Sequence, residues 1–330
     1  MKEILEQLFE HQTLNREEAK AALTEIANGK CNNSEIAAFI SVYLMRSIKV
    51  EELAGFRDAL LELCTPVDLS DFNTIDLCGT GGDKKDTFNI STLSSFVVAG
   101  AGGKVAKHGN YAVSSNCGSS NVMEALGYKF KNDVPKLREE MEKTGICFLH
   151  APLFNSAMKN VAPIRRELGV KTFFNMLGPM INPSFPKNQM VGVYSLEISR
   201  LYNYIYQQTK TNFIILYSLD GYDEISLTGD FKITSRELEQ VMSPSMLGLK
   251  TVRPEELYGG KTVDDATKIF MDVLTNQGTE AQTQTVIANS AMGLKCITPS
   301  KSFEDCVGEA KESLESGKAL NALKKLISLQ

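Results

Sequence analysis

Residues 74 to 92 read TIDLCGTGGDKKDTFNIST. Gly79, Gly81 and Gly82 follow the apolar run Ile75, Leu77, Cys78 and precede Asp83 and Asp86. A glycine-rich turn between a strand and a helix bares backbone N–H groups and lets a phosphate come close. Two common versions of that turn are not matched. A dinucleotide fingerprint would need glycine where Lys84 stands, and the P-loop pattern also fails. A tight structural turn is the plain alternative. Asn89, Ser91 and Thr92 follow where a helix should begin. Such residues cap helices, yet beside a glycine turn they also make an anion site. A serine hydroxyl can ligate Mg2+, which prefers oxygen.

A second loop, AKHGNYAVSSNCGSS, lies between a short strand and a helix and offers Lys107, Asn110, Ser114, Ser115, Ser119 and Ser120. A third, LDGYDEIS, follows the most apolar strand pattern and carries the adjacent acids Asp223 and Glu224. Paired acids at a strand's carboxyl end are commonly just solvated. Beside two phosphate-type loops they read as Mg2+ ligands that work through a substrate's phosphates. His108 is the only histidine in these loops and reads as a packed or hydrogen-bonded residue. No Cys or Ser is paired with a base, so nothing supports a covalent triad.

These loops need strands and helices to hold them. Up to about residue 65 the pattern is helical. Ala19, Ala22, Leu23 and Ile26 recur behind an Asn15 cap with Glu18 three residues on, and Gly29 suits the position past the end. Ser34 can cap a helix carrying Ile36, Phe39, Ile40 and Tyr43; Leu53, Phe56, Leu60 and Leu63 mark a third. After Pro66, strands and helices alternate: NTIDLCG, KVAKHG, NQMVGVYS and TNFIILYSLDG read as strands; STLSSFVVAGAG, GSSNVMEALG and EISRLYNYIYQQ as helices. The fold class expected is α/β, a small all-helical N-terminal domain plus a large domain with a central, mostly parallel sheet. In such sheets, sites form beyond the carboxyl ends of strands. The segment PIRRELGVKTFFNMLGPM reads as helical and could pack back on the first helices. The expected division is 1–70, completed by a segment near 163–185, and 71–330.

The chain has 330 residues, 43% hydrophobic and 23% charged, with a formal net charge of -5. That balance opposes a nucleic-acid-binding surface as its main business. Seven cysteines without a C-x-x-C pair read as reduced cytosolic thiols. No apolar run is long enough for a membrane span, and MKEILEQLFEHQTL has no signal-peptide character. A cytoplasmic protein is expected.

GTGGD, NIST, KHGN, RRELGVKTFFNMLGP and DGYDE occur in an order and spacing that resemble anthranilate phosphoribosyltransferases, enzymes of tryptophan biosynthesis. The resemblance covers nearly the whole chain, including the SGKALNAL tail. It implies an active site between a helical and an α/β domain, a homodimer, and Mg2+, expected as two ions. The implied reaction moves the phosphoribosyl group of 5-phosphoribosyl-1-diphosphate (PRPP) to the amine of anthranilate and releases diphosphate. By resemblance, Gly79, Gly82, Asp83, Thr87, Asn89, Ile90, Ser91, Thr92, Lys107 and Ser119 bind PRPP. Gly79, Asn110 and Arg165 face anthranilate, and Ser91, Asp223 and Glu224 hold the metal. No catalytic base is implied. Departures from the family's usual pattern are Tyr111 for an arginine, Cys117 and Asn121 in CGSSN, and Asn155 and Ser156 in FNSAM, where a histidine is frequent. Tyr111 cannot serve as a charged phosphate ligand. A nucleoside phosphorylase on the same fold is the rival enzyme, and a nucleic-acid-binding paralogue the rival without catalysis. DGYDE with NIST favours metal-diphosphate chemistry over the first; the acidic net charge opposes the second.

Overall fold

The structure, a computed structural model, describes residues 1–112 and 117–330. Ser114 and Ser115 lie outside the described residues. The chain forms two compact units: Met1–Val67 with Ala151–Phe185, and Asp68–His150 with Pro186–Gln330.

The first unit is helical. Its opening segment forms Lys2–Phe9, Arg16–Ala27, Asn33–Met45 and Val50–Leu63. The first of these lies in the stretch expected to be helical, where no separate helix is marked. Asn15 and Glu18 form a reciprocal capping box, each side chain accepting the other's backbone N–H at 2.9 Å. Gly29 adopts a φ of 71° past the end of that helix. The next helix is capped by Asn32, not Ser34. Asn32 has Glu35 three residues on to close a second box, and Ser34 falls inside the first turn. The helical segment expected near 163–180 is broken into pieces. Ala162–Leu168 ends at Gly169, with φ 63°, followed by a short turn at Phe174–Leu177 and a 3-10 turn at Gly178–Met180. The unit's core is aromatic. Phe173, from the second segment, stacks on Phe56 with ring centres 4.7 Å apart. Phe39 and Tyr43 meet both rings edge-on, the offset geometry that ring quadrupoles favour.

The second unit is built on seven strands: β1 Thr74–Gly79, β2 Lys104–Gly109, β3 Ile146–His150, β4 Asn188–Gly192, β5 Asn212–Ser218, β6 Phe231–Ser235 and β7 Glu239–Met242. Their order is β3-β2-β1-β4-β5-β6-β7. The first five in that order run parallel; β6 and β7 are antiparallel additions. β3, β6 and β7 were missed by sequence reasoning. β1 pairs with β2 on one side and β4 on the other, so the strand order reverses at β1/β4. Open α/β sheets bind ligands in the crevice beyond such a reversal.

The helix Ile90–Gly100 connects β1 to β2 and is buried along almost its whole length. Glycines set how closely it packs. A Cβ on Gly293, in the helix Glu280–Ile297, would lie 2.8 Å from Leu77 Cδ2 and 3.0 Å from Val98 Cγ2. A Cβ on Gly100 would lie 2.6 Å from the Ala319 nitrogen. These contacts hold the last turn of Ile90–Gly100 close to its neighbours.

Candidate active site

Beyond β1 the chain turns through Gly81 and Gly82, with φ of 69° and 85°. Lys84 and Asp86 hold positive φ as well, at 62° and 49°. A non-glycine residue in this region costs about 1–3 kcal/mol and persists only where its surroundings hold it. Here they do. The Gly259 N–H donates to the Asp86 carbonyl at 2.8 Å and the Phe88 N–H to the Leu257 carbonyl at 3.0 Å. The Lys85 ammonium sits 4.4 Å from the centre of the Tyr222 ring.

A carboxylate from far along the chain enters this turn. Asp223 accepts the Gly81 N–H at 2.6 Å. A Cβ on Gly79 would lie 2.2 Å from Asp223 Oδ2, and one on Gly192 would lie 1.5 Å from the Asp223 carbonyl oxygen. Gly79 and Gly192 are register partners across β1 and β4. Two glycines at the reversal of strand order therefore make room for one acid.

Glu224 takes the other anion position. Its carboxylate lies near the Ser91 N–H, in the first turn of Ile90–Gly100, where the helix dipole favours negative charge. Lys107 supplies positive charge nearby. Lys107 is almost completely buried, and its ammonium donates to the Leu77 carbonyl at 2.5 Å and to Ser91 Oγ at 3.5 Å. Burial first, then the charge of Asp83, pushes the Asp223 carboxyl well above the usual carboxylate range. Burial and the charge of Asp223 do the same to Glu224, with Lys107 opposing. One buried oxygen of Asp83 has no hydrogen-bond partner.

This donor set fits a hard cation: one hydroxyl, Ser91, and two carboxylates, Asp223 and Glu224, whose adjacent charges are expensive without one. No group of three or more His, Cys, Asp or Glu side chains among the described residues forms a ready-made metal cage. Few protein ligands is what Mg2+ uses when a substrate's phosphates complete its shell.

The acid pair is held from behind. Ser218 Oγ donates to the Glu224 carbonyl at 2.6 Å. Buried Asn289 bonds both backbone groups of Ile225, its carbonyl accepting the N–H at 3.0 Å and its amide donating to the C=O at 2.9 Å. Sequence reasoning found none of Gly192, Ser218 and Asn289. No local spacing marks them, because each acts on a residue brought near only by the fold.

The structure thus gathers Gly79, Asp83, Ser91, Lys107, Asp223 and Glu224 around the end of β1. Asn89 is the residue at the helix cap, but its side chain makes no capping bond; it donates to the Cys117 carbonyl at 3.2 Å. Ile90 and Thr92 are buried in the helix, and Thr87 bridges Tyr258. In the second loop, Ser119 Oγ donates to the Asn110 carbonyl at 3.3 Å, and Asn110 Oδ1 accepts the Tyr111 N–H at 2.8 Å. Asn121 accepts the N–H groups of Ala112 and Gly118, both at 3.0 Å. An amide oxygen does here what a carboxylate could, which accounts for that departure. His108 is buried, and its N–H donates to Asp76 Oδ1 at 3.1 Å. Arg165 belongs to the helical unit, where its guanidinium donates to Asn175 Oδ1 at 3.2 Å and lies 5.2 Å from the centre of the Phe174 ring.

A helical bundle joined in one chain to an α/β body with these loops defines a glycosyl transferase. The glycosyl transferase family's helical bundle domain matches residues 2–64 and its a/b domain residues 71–320. An anthranilate phosphoribosyltransferase of Flavobacterium psychrophilum is 59% identical over 332 residues, spanning 100% of this chain and 99% of that protein. The crystal structure of the Thermus thermophilus anthranilate phosphoribosyltransferase superposes with a TM-score of 0.92 at 29% identity, covering 98% of both chains. The Saccharomyces cerevisiae enzyme in complex with PRPP and Mg gives 0.91 at 26% identity, covering 98% of this chain and 96% of that one. The chain belongs to the anthranilate phosphoribosyltransferase family.

Proposed function

We propose that this chain transfers the 5-phosphoribosyl group of PRPP to the amine of anthranilate, giving N-(5-phosphoribosyl)anthranilate and diphosphate for tryptophan biosynthesis. The observation that carries this reading is the meeting of Asp223 with the Gly81 amide and of Glu224 with the first turn of Ile90–Gly100. One anion of the chain sits on an amide suited to phosphate and a second lies beside a helix start, near a hydroxyl and a buried lysine.

Departure of diphosphate from C1 of ribose leaves a cationic sugar and a highly charged leaving group. Such a reaction needs positioning and electrostatic stabilisation more than a strong base. Mg2+, two ions in this proposal, supplies positive charge toward the leaving group, held by Ser91, Asp223 and Glu224. The glycine turn at Gly79, Gly82 and Asp83 surrounds the donor, with Thr87, Asn89, Ile90, Ser91 and Thr92 along the helix start. Lys107 and Ser119 complete that set. Gly79, Asn110 and Arg165 orient the acceptor, with the guanidinium on its carboxylate. An aromatic amine is already neutral at pH 7, so its lone pair needs no general base. Mixing the protein with PRPP, Mg2+ and anthranilate should remove the fluorescence of anthranilate. If fluorescence persists, while nucleosides and phosphate release free base, the phosphorylase reading replaces this one.

We also propose that the protein is a homodimer. Phe9, Leu44 and Met45 are exposed at the ends of two helices of the helical unit, Met45 at 87%. Large apolar side chains exposed to this degree are the kind that an interaction face covers. Light scattering should report twice the chain mass, and Met45→Lys should lower it; a monomeric wild type would refute the proposal. All seven cysteines are free thiols, which supports work in a reducing compartment, the cytoplasm. Cell fractionation that finds the protein elsewhere would overturn that placement.

A further inference from the structure

Tyr111 stands where a charged side chain would reach toward phosphate, and it does something else. Its hydroxyl donates to Glu124 Oε1 at 2.5 Å, across the whole 110–118 loop. The bond to a carboxylate raises the phenol's pKa, so Tyr111 remains a donor. Its ring meets the imidazole of His150 edge-on, with centres 4.8 Å apart. His150 in turn stacks on Phe130 at 4.5 Å, and its Nδ1 shares a hydrogen bond with Ser120 Oγ at 2.9 Å. His150 is buried at the carboxyl end of β3, in register with Gly109 of β2. The tyrosine is therefore attached at two points to rigid parts of the α/β unit: its ring to the end of the sheet, its hydroxyl to the helix Ser119–Ala125.

The Asn110 backbone is held from the next helix, its carbonyl accepting from Ser119 Oγ at 3.3 Å and from the Ser120 N–H at 3.2 Å. Asn110 spends its side-chain oxygen on the Tyr111 N–H. The two limbs of the loop touch, since a Cβ on Gly118 would lie 2.4 Å from the Ala112 nitrogen. Asn121 ties both limbs through the N–H groups of Ala112 and Gly118. Movement of the Tyr111 N–H would thus turn the Asn110 side chain, while the Asn110 backbone stays held.

We propose that Tyr111 is a positioning residue for acceptor binding: its bond to Glu124 and its contact with His150 hold Asn110 at the orientation that receives the acceptor. This rests on the reading of Asn110 as an acceptor contact. Tyr111 touches no reacting atom, and its effect passes through Asn110. The latch belongs to this chain's own pairing of Tyr111 with Glu124.

Tyr111→Phe keeps the ring and removes the hydrogen bond. It should raise KM for anthranilate about five- to tenfold, within the range for losing one ordinary solvent-exposed hydrogen bond, with KM for PRPP unchanged. Glu124→Ala should match it. The double variant should be no worse than either single one, because both remove the same bond. Glu124→Gln retains an acceptor and should stay near wild type. Amide hydrogen exchange at Tyr111 and Ala112, read without substrate, should speed up in Tyr111→Phe and Glu124→Ala only. Faster exchange with unchanged KM would leave the latch standing and overturn its positioning role. Unchanged exchange and unchanged KM would overturn the latch itself. Additive single effects would also overturn it. A wild type that does not consume anthranilate would instead remove the functional reading, and the positioning role with it.

Discussion

Asp223→Ala combined with Glu224→Ala lowers kcat by at least about a thousandfold in the presence of Mg2+. Removing one preorganised electrostatic contact to developing charge typically costs 10²–10³, and this pair supplies two. The proposal that these acids hold the metal makes a second, opposite demand. Without a divalent cation the two carboxylates only repel diphosphate. PRPP should then bind the double variant no more weakly than wild type when EDTA is present, and more weakly only when Mg2+ is added. Calorimetric titration under both conditions separates these effects, and circular dichroism checks that the variant is folded. The two acids rest on amides and backbone atoms that survive the change, so the fold should hold. Turnover within tenfold of wild type, or wild-type turnover that survives thorough chelation, would dismiss the metal role.

Arg165→Ala should raise KM for anthranilate at least tenfold while KM for PRPP stays nearly constant. In the helical unit the Arg165 guanidinium is half-buried and bonds a neutral amide, with no acidic partner among the described residues. Burial lowers its pKa, the mark of a cation short of counter-charge. A carboxylate arriving there would be paired and partly desolvated. Deleting one side of such a pair costs on the order of 2–5 kcal/mol. Arg166, exposed on the same helix, is the control and should have little effect. Equal, mild losses from both arginines would move the acceptor's carboxylate to another residue.

Much of the α/β body could be read from local pattern. KVAKHG is a strand of six residues with the bounds expected of it, its four central residues buried and its end closed by glycine. ICFLH escaped notice because β3 is only five residues long and is wedged between the helix ending at Gly145 and a helical turn that begins at Ala151. The helix caps show how fine the local signal is. Asn15 was found through its partner Glu18, whereas Ser34 was chosen over Asn32, though only Asn32 has its glutamate at the right spacing. At the site, the residue types were legible and their partners were not. The glycine turn announces an anion site, but the Gly81 amide is met by Asp223, 142 residues away. Gly192 looks like an ordinary strand residue until Asp223 is set against it, and Asn289 looks like a polar residue on a buried helix until it is seen to bond Ile225. Local spacing reports what a segment can accept; which acid arrives is decided by the sheet.

The helical unit is assembled from two pieces separated by much of the second unit, and one ring of its aromatic core, Phe173, comes from the later piece. On a ribosome this has a temporal meaning. A chain growing at about 5–20 residues per second spends on the order of ten seconds between Val67 and Phe185. Throughout that interval Phe39, Tyr43 and Phe56 wait without the ring that fills the space between them. The sheet waits too, since β1 lacks one neighbour until β4 begins at Asn188. The helical unit cannot close until Asp68–His150 of the second unit has been synthesised, and the sheet cannot close until the helical unit is complete. The nascent protein therefore passes through a long stage in which both cores are open, and its need for chaperone protection is set by the order of its segments rather than by the stability of its finished fold.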